Sequence, residues 1–540
     1  MVCLFVASAE LALGQSLPMA DPVHAGDALA EAERLDRLGD ATAVDFYFEA
    51  AAQTAHLMRR YPATITGASD IEEIYAQALA GLIDSSQRYA RLDPPRRGIL
   101  LNGGSRVLPI RYFGFAWQPT DFTLLMPAHY EQNKEIANHY ISAGIGLPLI
   151  AERVTPQPLV FARERQPFAA TAVLKPPQSG YQQAGRGSNG FVLELYNPLA
   201  YDKVRWGGYV LPLARDLTAP LAREINENPR QYLRGFTSPN DTSVQPQLYM
   251  LEPYQRGKIP VVLIHGLYSD PTTWADMLNE LRVQDDIYTR YQFWVFRYPT
   301  GGSLLNSMTA LRQQLLLARM AYDPFGNDYA MDNMVLIGHS LGGLVAKSQV
   351  TSSNDQFWGR IAQQPFAALR APPLVKQRFA ENLFFEPVPY VKQVIFIGTP
   401  HRGSQLTLRV AGRIGNALVS FNSTEAAEFQ QVIEINQDVF RPDFSREPPT
   451  SIALLEPDSP FLAGLANMPI NPATHIHSII GTGGGYFAPE PGDGVVAVSS
   501  ARHCGESELF VPTVHEELHR DPESINEVAR ILRQHAAMMR

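Results

Sequence analysis

Apolar residues follow two different rhythms along this chain, and the change falls near Lys258. From there onward compact apolar runs alternate with helical stretches. The runs are Pro260-Val261-Val262-Leu263-Ile264, Phe293-Trp294-Val295-Phe296, Met334-Val335-Leu336-Ile337, Val394-Ile395-Phe396-Ile397, Ile476-His477-Ser478-Ile479-Ile480 and Leu509-Phe510-Val511-Pro512. Short continuous apolar runs predict strands buried on both faces, and their alternation with helices predicts a mostly parallel sheet covered on both sides. The predicted fold class is α/β. In such sheets ligands bind beyond the carboxyl ends of the strands, so chemistry is sought in the residues just after each run.

Upstream the texture differs. Ala30-Glu31-Ala32-Glu33-Arg34-Leu35 and Phe46-Tyr47-Phe48-Glu49-Ala50-Ala51-Ala52 are rich in helix formers, and Ile71-Glu72-Glu73-Ile74-Tyr75-Ala76-Gln77-Ala78-Leu79 repeats its apolar groups every three or four positions. These predict a helical region over residues 21–143. Between 144 and 250 short apolar runs such as Ala169-Ala170-Thr171-Ala172-Val173-Leu174 and Gly190-Phe191-Val192-Leu193-Glu194-Leu195 are broken by Pro and Gly, which predicts a strand-rich region. The parallel-sheet domain is expected over 251–540.

The composition narrows the partners. The chain has 540 residues, 45% hydrophobic and 18% charged, which fits two or three packed globular units. Its net charge of −9 is spread out, and no basic block is present to neutralise a run of phosphates, which argues against nucleic acid. The two cysteines, Cys3 and Cys504, show no metal-ligand or disulfide-framework spacing, and no metal or other cofactor is indicated. Residues 1–20 contain a short apolar stretch, Val2 to Ala7 and Leu11 to Gly14, that ends in small residues like the core of an export signal. It lacks a basic leader and contains Glu10. The expectation is export, to the periplasm, the outer membrane or the medium; the alternative is an ordinary frayed terminus. No segment is a run of about 18–20 apolar residues able to span a bilayer.

The main chemical candidate is Ser340 in Gly338-His339-Ser340-Leu341-Gly342. It follows the run ending at Ile337 and precedes a helical pattern, so it sits on a sharp strand-to-helix turn that glycines on either side make possible. A serine hydroxyl needs a base, and the base an orienting carboxylate; on this kind of turn they follow in the order Ser, Asp or Glu, His. Of His503, His515, His519 and His535, His515 stands directly after the last strand, and His519 is expected to be an exposed helix residue. Asp493, between Gly492 and Gly494 after the penultimate strand, is the acid, with Glu490 and Asp458 in reserve; the competing reading is a plain Asp-Gly turn. The backbone N–H groups of Leu341 and Leu267 are the candidate oxyanion donors, and His265 shapes the loop.

Together, His265-Gly266, Gly338-His339-Ser340-Leu341-Gly342-Gly343, Gly398-Thr399-Pro400-His401-Arg402-Gly403-Ser404, Gly492-Asp493-Gly494-Val495-Val496 and His515 resemble the lipase-like α/β-hydrolases, most nearly the serine esterases similar to the GPI inositol-deacylase. The resemblance runs from about Ile259 to the C-terminus. It implies Ser340, Asp493 and His515 as nucleophile, acid and base, Leu267 and Leu341 at the oxyanion positions, and a structural or cleft-lining His401. Insertions at 351–389 and 405–472 take the place of a cap in that family. Their Phe366, Leu369, Phe384, Phe385, Phe421, Phe461 and Leu462 form either an apolar acyl-binding wall or simply more core.

The expected function is hydrolysis of a carboxylic ester, a small-molecule or lipid ester with an apolar acyl group, through an acyl-serine. A lipid substrate would bring peripheral contact with a lipid surface. The same three side chains serve amidases and acyltransferases, and a hydrolase fold that only binds is the alternative from another class.

Overall fold

The computed structural model describes residues 22–60, 70–93, 98–154, 161–177, 190–227, 245–404, 423–442, 444, 455–456, 459–484 and 490–539. The candidate export segment 1–20, Phe421, Asp458 and much of the 405–472 insertion lie outside them. The chain folds as two compact units. One comprises Met1–Tyr130, Tyr140–Glu152 and Phe168–Asp216, the other Glu131–His139, Arg153–Pro167 and Leu217–Arg540.

The first unit opens with three helices, α1 (Pro22–Arg37), α2 (Ala43–Arg60) and α3 (Asp70–Arg88). Helix α2 is alanine-rich, so it can lie close against its neighbours, and Ala50, Ala51, Ala52 and Ala55 are fully buried. The helical reading of 21–143 holds only to Arg88. From Leu92 the chain is strand: β1 (Leu92–Asp93), β2 (Gly98–Leu101), β3 (Arg106–Phe113), β4 (Leu124–Pro127), β5 (Leu147–Val154), β6 (Arg165–Lys175) and β7 (Val192–Tyr196) form one sheet in the order β1-β2-β3-β7-β6-β5-β4. The pairs β1 with β2, β2 with β3, β4 with β5 and β6 with β7 are antiparallel, and β3 with β7 is parallel. The region read as strand-rich holds β5, β6 and β7, whereas β1 to β4 lie inside the region read as helical, their alternation blurred by Pro and by intermediate burial.

The second unit holds the sheet anticipated from the apolar runs. Its strands are β8 (Gln247–Met250), β9 (Ile259–Ile264), β10 (Tyr291–Arg297), β11 (Met334–His339), β12 (Val391–Ile397), β13 (His475–Gly481) and β14 (Ser507–Val511), in the order β8-β10-β9-β11-β12-β13-β14. Strand β8 is antiparallel to β10, and the other neighbours are parallel. The sequence boundary at 250/251 therefore falls too late, because β8 belongs to this sheet. The earlier segments 131–139 and 153–167 also belong to this unit.

Alternate residues of each central strand enter different cores. Val262, Ile264, Met334 and Leu336 pack with helices α4 (Leu304–Tyr322) and α5 (Leu341–Ser348) on one face. Val261, Leu263, Val335 and Ile337 pack with Ile525, Val528 and Leu532 of α6 (Pro522–Met538) on the other. Both faces are thus buried, which is what uninterrupted apolar runs require. Helix α6 starts where it does because Asp521 accepts a hydrogen bond from the Glu523 N–H at 2.9 Å and Pro522 occupies the first turn.

The apolar side chains of the insertions join the α4/α5 core. Leu369, Phe385, Phe461 and Leu462 are buried in it, and Phe366 and Phe384 pack against it. Phe357 stands edge-on to Phe385 at 5.9 Å and to Phe461 at 5.5 Å. The six described residues of that set thus lie in this core or against it.

Candidate active site

Strand order places the chemistry. From β9 the chain crosses to β10 on one side, and from β11 it crosses to β12 on the other, so the loops after the adjacent β9 and β11 diverge and leave a crevice between them. Ser340 lies on one lip of this crevice and the loop His265 to Asp270 on the other.

Ser340 links β11 to α5 with φ +53° and ψ −122°, a conformation that a residue with a Cβ adopts only under strain. The turn closes because its flanking positions carry no side chain: a Cβ on Gly338 would lie 2.5 Å from the Gly342 carbonyl oxygen, and one on Gly342 would lie 2.2 Å from that of Ile264. The Ser340 N–H donates to the Ile397 carbonyl at 2.9 Å, which ties the turn to β12. Ser340 Oγ lies 2.9 Å from His515 Nε2, and His515 Nδ1 lies 2.7 Å from Asp493 Oδ2.

The neighbours fix the proton positions in this chain of hydrogen bonds. An ionised Asp493 can only accept, so His515 Nδ1 carries the proton and Nε2 is left to accept from the serine hydroxyl. The other Asp493 oxygen, Oδ1, accepts the N–H groups of Val495 at 2.9 Å and Val496 at 2.7 Å, and the His515 N–H donates to the Asp493 carbonyl at 3.0 Å. The carboxylate is 2% exposed, yet both oxygens are satisfied. The structure brings Ser340, His515 and Asp493 together from segments far apart in the sequence. Glu490, the reserve acid, is exposed and accepts instead from Ser499 Oγ at 2.9 Å.

Leu341 opens α5, so its N–H is among the first of that helix, which have no partner within it. Across the crevice the backbone before Leu267 passes close to the serine: a Cβ on Gly266 would lie 3.0 Å from Ser340 Cβ. His265 holds that loop. Its ring stacks on Tyr298 at 4.5 Å between centroids, and Tyr298 Oη donates to the His265 carbonyl at 2.8 Å.

Two further imidazoles, for which the sequence reading gave no place in the site, lie next to His515. His339 Nε2 donates to the His515 carbonyl at 3.1 Å, and its ring lies 4.9 Å from that of His515 and 4.6 Å from that of His519. His519 was expected on an exposed helix face. It is instead 5% exposed, in a turn before α6, with Nε2 2.6 Å from Thr273 Oγ1 and its ring edge-on to Trp274. The partners that bury it come from the β9–β10 connection, which spacing near His519 cannot reveal. His401 is also buried, packed against Phe396 at 4.6 Å and His503 at 4.9 Å, a structural position.

These buried rings are neutral. Burial pushes His265 and His519 down to about 4 and His339 well below its ordinary value, with His519 and His515 beside His339 adding to the effect. In the unfolded chain histidine titrates near 6.5, so between that value and about 4 the unfolded state binds more protons. Their contribution is fully present above pH 6.5 and is lost as the pH falls through about 4. Thermal melts are expected to give a level Tm from pH 8 to 7 and a fall on the order of 10 °C by pH ~4.5. A Tm unchanged down to that pH would contradict the neutral, buried assignment.

Gly398 is the other residue the site needs. Its φ is +56°, and a Cβ there would lie 3.2 Å from Asp493 Oδ2 and 3.3 Å from His515 Nδ1. Gly398→Ala is expected to cost about 1–2 kcal/mol from the left-handed backbone and, by pressing on the Asp493–His515 bond, to lower kcat. Urea unfolding and steady-state turnover of the same samples would check both.

No family model matches this chain. Nor does any curated protein. Among solved structures, the mature lipase BlEst2 of Bacillus licheniformis aligns over 53% of this chain and 97% of its own, with 17% identity and a TM-score of 0.31. An esterase of Thermogutta terrifontis aligns over 54% and 94%, with 14% identity and a TM-score of 0.28. The esterase EaEST of Exiguobacterium antarcticum aligns over 53% and 96%, with 12% identity and a TM-score of 0.29. At this depth the functional reading rests on the chain's own geometry. Among the described residues no group of three or more His, Cys, Asp or Glu is arranged to hold a metal ion, and no helix is long and apolar enough to cross a membrane.

Proposed function

We propose that this protein is a serine hydrolase of the α/β-hydrolase type that cleaves carboxylic esters through an acyl-serine intermediate. The observation that carries the reading is the hydrogen-bonded chain from Ser340 Oγ through His515 to Asp493, with the serine held on a strained strand-to-helix turn at the crevice of a parallel sheet. The motif set within this superfamily resembles the esterases similar to the GPI inositol-deacylase.

In the reaction Ser340 Oγ attacks the ester carbonyl while its proton passes to His515 Nε2. The N–H groups of Leu341 and Leu267 take the developing oxyanion, and Asp493 stabilises the imidazolium and holds its orientation. Collapse breaks the bond to the alcohol, which leaves with the proton from His515. Water, deprotonated by the same imidazole, then attacks the acyl-serine and releases the acid. A fluorophosphonate probe should label Ser340 covalently, and p-nitrophenyl esters of short and medium acids should be turned over. Absence of both labelling and turnover would overturn the reading.

A further inference from the structure

The backbone of His515 is held on both sides. Its N–H donates to the Asp493 carbonyl at 3.0 Å, and its own carbonyl accepts from His339 Nε2 at 3.1 Å and, at 3.4 Å, from the Leu518 N–H. A carbonyl can only accept, so the single proton of the neutral His339 ring sits on Nε2, and Nδ1 has no hydrogen-bond partner among the described residues. His339 is also the residue before the nucleophile. A closed ring of links results: from Ser340 along the chain to His339, from the His339 imidazole to the His515 carbonyl, and from His515 Nε2 back to Ser340 Oγ at 2.9 Å. None of these links passes through Asp493.

The His339 ring is itself held from two directions. The loop after β9 passes so close that a Cβ on Gly266 would stand 3.1 Å from His339 Nδ1. The His519 ring lies 4.6 Å away between centroids, and its Nε2 is 2.6 Å from Thr273 Oγ1. All three imidazoles, of His339, His515 and His519, are buried. Packing this close keeps the His339 donor aimed in one direction. His339 also donates without carrying charge, so it does not oppose the imidazolium that forms on His515, 4.9 Å away between ring centroids. Asp493 orients the His515 imidazole through Nδ1, whereas the second ring of links sets how far Nε2 stands from the serine. That distance matters, because a misplacement of about 1 Å costs on the order of 10²-fold in rate.

We infer that His339 is a positioning residue for the base: by holding the His515 carbonyl it fixes the separation of His515 Nε2 from Ser340 Oγ. The inference rests on the ester-hydrolase reading and adds to its machinery a fourth side chain, which touches neither the substrate nor the transferred proton.

The test assays His339→Leu, His339→Gln and the control His535→Leu on p-nitrophenyl butyrate, with thermal melts of the same samples. His535 is buried like His339, but in α6, where its Nδ1 is 3.1 Å from Tyr291 Oη. His339→Leu is expected to lower kcat about 10- to 100-fold with KM within about twofold of the parent. Gln carries an N–H₂ near the Nε2 position and is expected to bring kcat back to within about fivefold of the parent. His535→Leu is expected to lower Tm and leave kcat unchanged. If His339→Leu is too unstable to assay, His339→Asn takes its place, since the shorter amide reaches only the Nδ1 position and the same loss of kcat is expected. Because His339 acts through His515, His339→Leu is expected to cost nothing further in a His515→Ala background. The inference falls if the donor-free variant keeps kcat, if Gln is no better than it, if His535→Leu loses as much kcat, or if the loss persists without the His515 imidazole; the hydrolase reading stands in each of these cases. If the parent neither turns over the ester nor is labelled at Ser340, both fall.

Discussion

Ser340→Ala is expected to lower kcat for p-nitrophenyl butyrate by about 10⁵- to 10⁶-fold, His515→Ala by a similar factor, and the double variant by no more than either. The hydroxyl and imidazole act as one unit. Without Oγ there is nothing for His515 Nε2, 2.9 Å away, to deprotonate, and without the imidazole the hydroxyl keeps its proton. A residual rate about 10³- to 10⁴-fold over water should survive in each variant, because the backbone donors at Leu341 and Leu267 do not depend on either side chain. The turn is built by glycines and by the Ser340 N–H to Ile397 bond, neither of which the substitution removes, so Tm should stay near that of the parent. Fluorophosphonate labelling must vanish with Ser340→Ala. If activity survives within tenfold, the nucleophile lies elsewhere.

Much of this site was legible in the sequence because its members obey local rules. Each apolar run named from Pro260 onward lies in a strand of the second sheet, allowing for a residue at its end, since a strand buried on both faces leaves a continuous apolar signature. Ser340 follows one such strand, and His515 and Asp493 follow the last two, so order along the chain sufficed to choose them. Strand β8 was missed because only its pairing with β10 makes it a strand, through contacts such as Tyr249 with Val295. Strands β1 to β4, inside the region read as helical, were missed for the same reason. Burial of His519 depends on Thr273, 246 residues earlier, and the aromatic residues of the insertions read equally as wall or core until their contacts with Phe357 and Trp358 are known. What the sequence hid is non-local: two residues brought together by folding carry no mark of each other in the spacing around either one.

The sharpest test of the acid is Asp493→Asn, for which kcat is expected to fall by about 10⁴-fold with little loss of stability. Asn is nearly isosteric, but its two ends differ. Position Oδ1 of Asp493 accepts the N–H groups of Val495 and Val496, so the amide must turn its oxygen to them to avoid facing donors with donors. Its NH₂ then faces His515 Nδ1, in place of the Oδ2 that accepts at 2.7 Å. The imidazole can meet a donor there only by moving its proton to Nε2, which points an N–H at Ser340 Oγ and removes the base. The backbone donors and the fold are kept while the tautomer is reversed, so urea unfolding should shift by less than about 1 kcal/mol as turnover and fluorophosphonate labelling both collapse. Asp493→Ala separates the two roles: it leaves the Val495 and Val496 N–H groups unpaired in a buried loop and should cost stability as well, at about 1–3 kcal/mol for each unsatisfied donor. An Asn variant that keeps activity within tenfold would remove Asp493 from the mechanism and return it to the plain Asp-Gly turn that composition alone suggests.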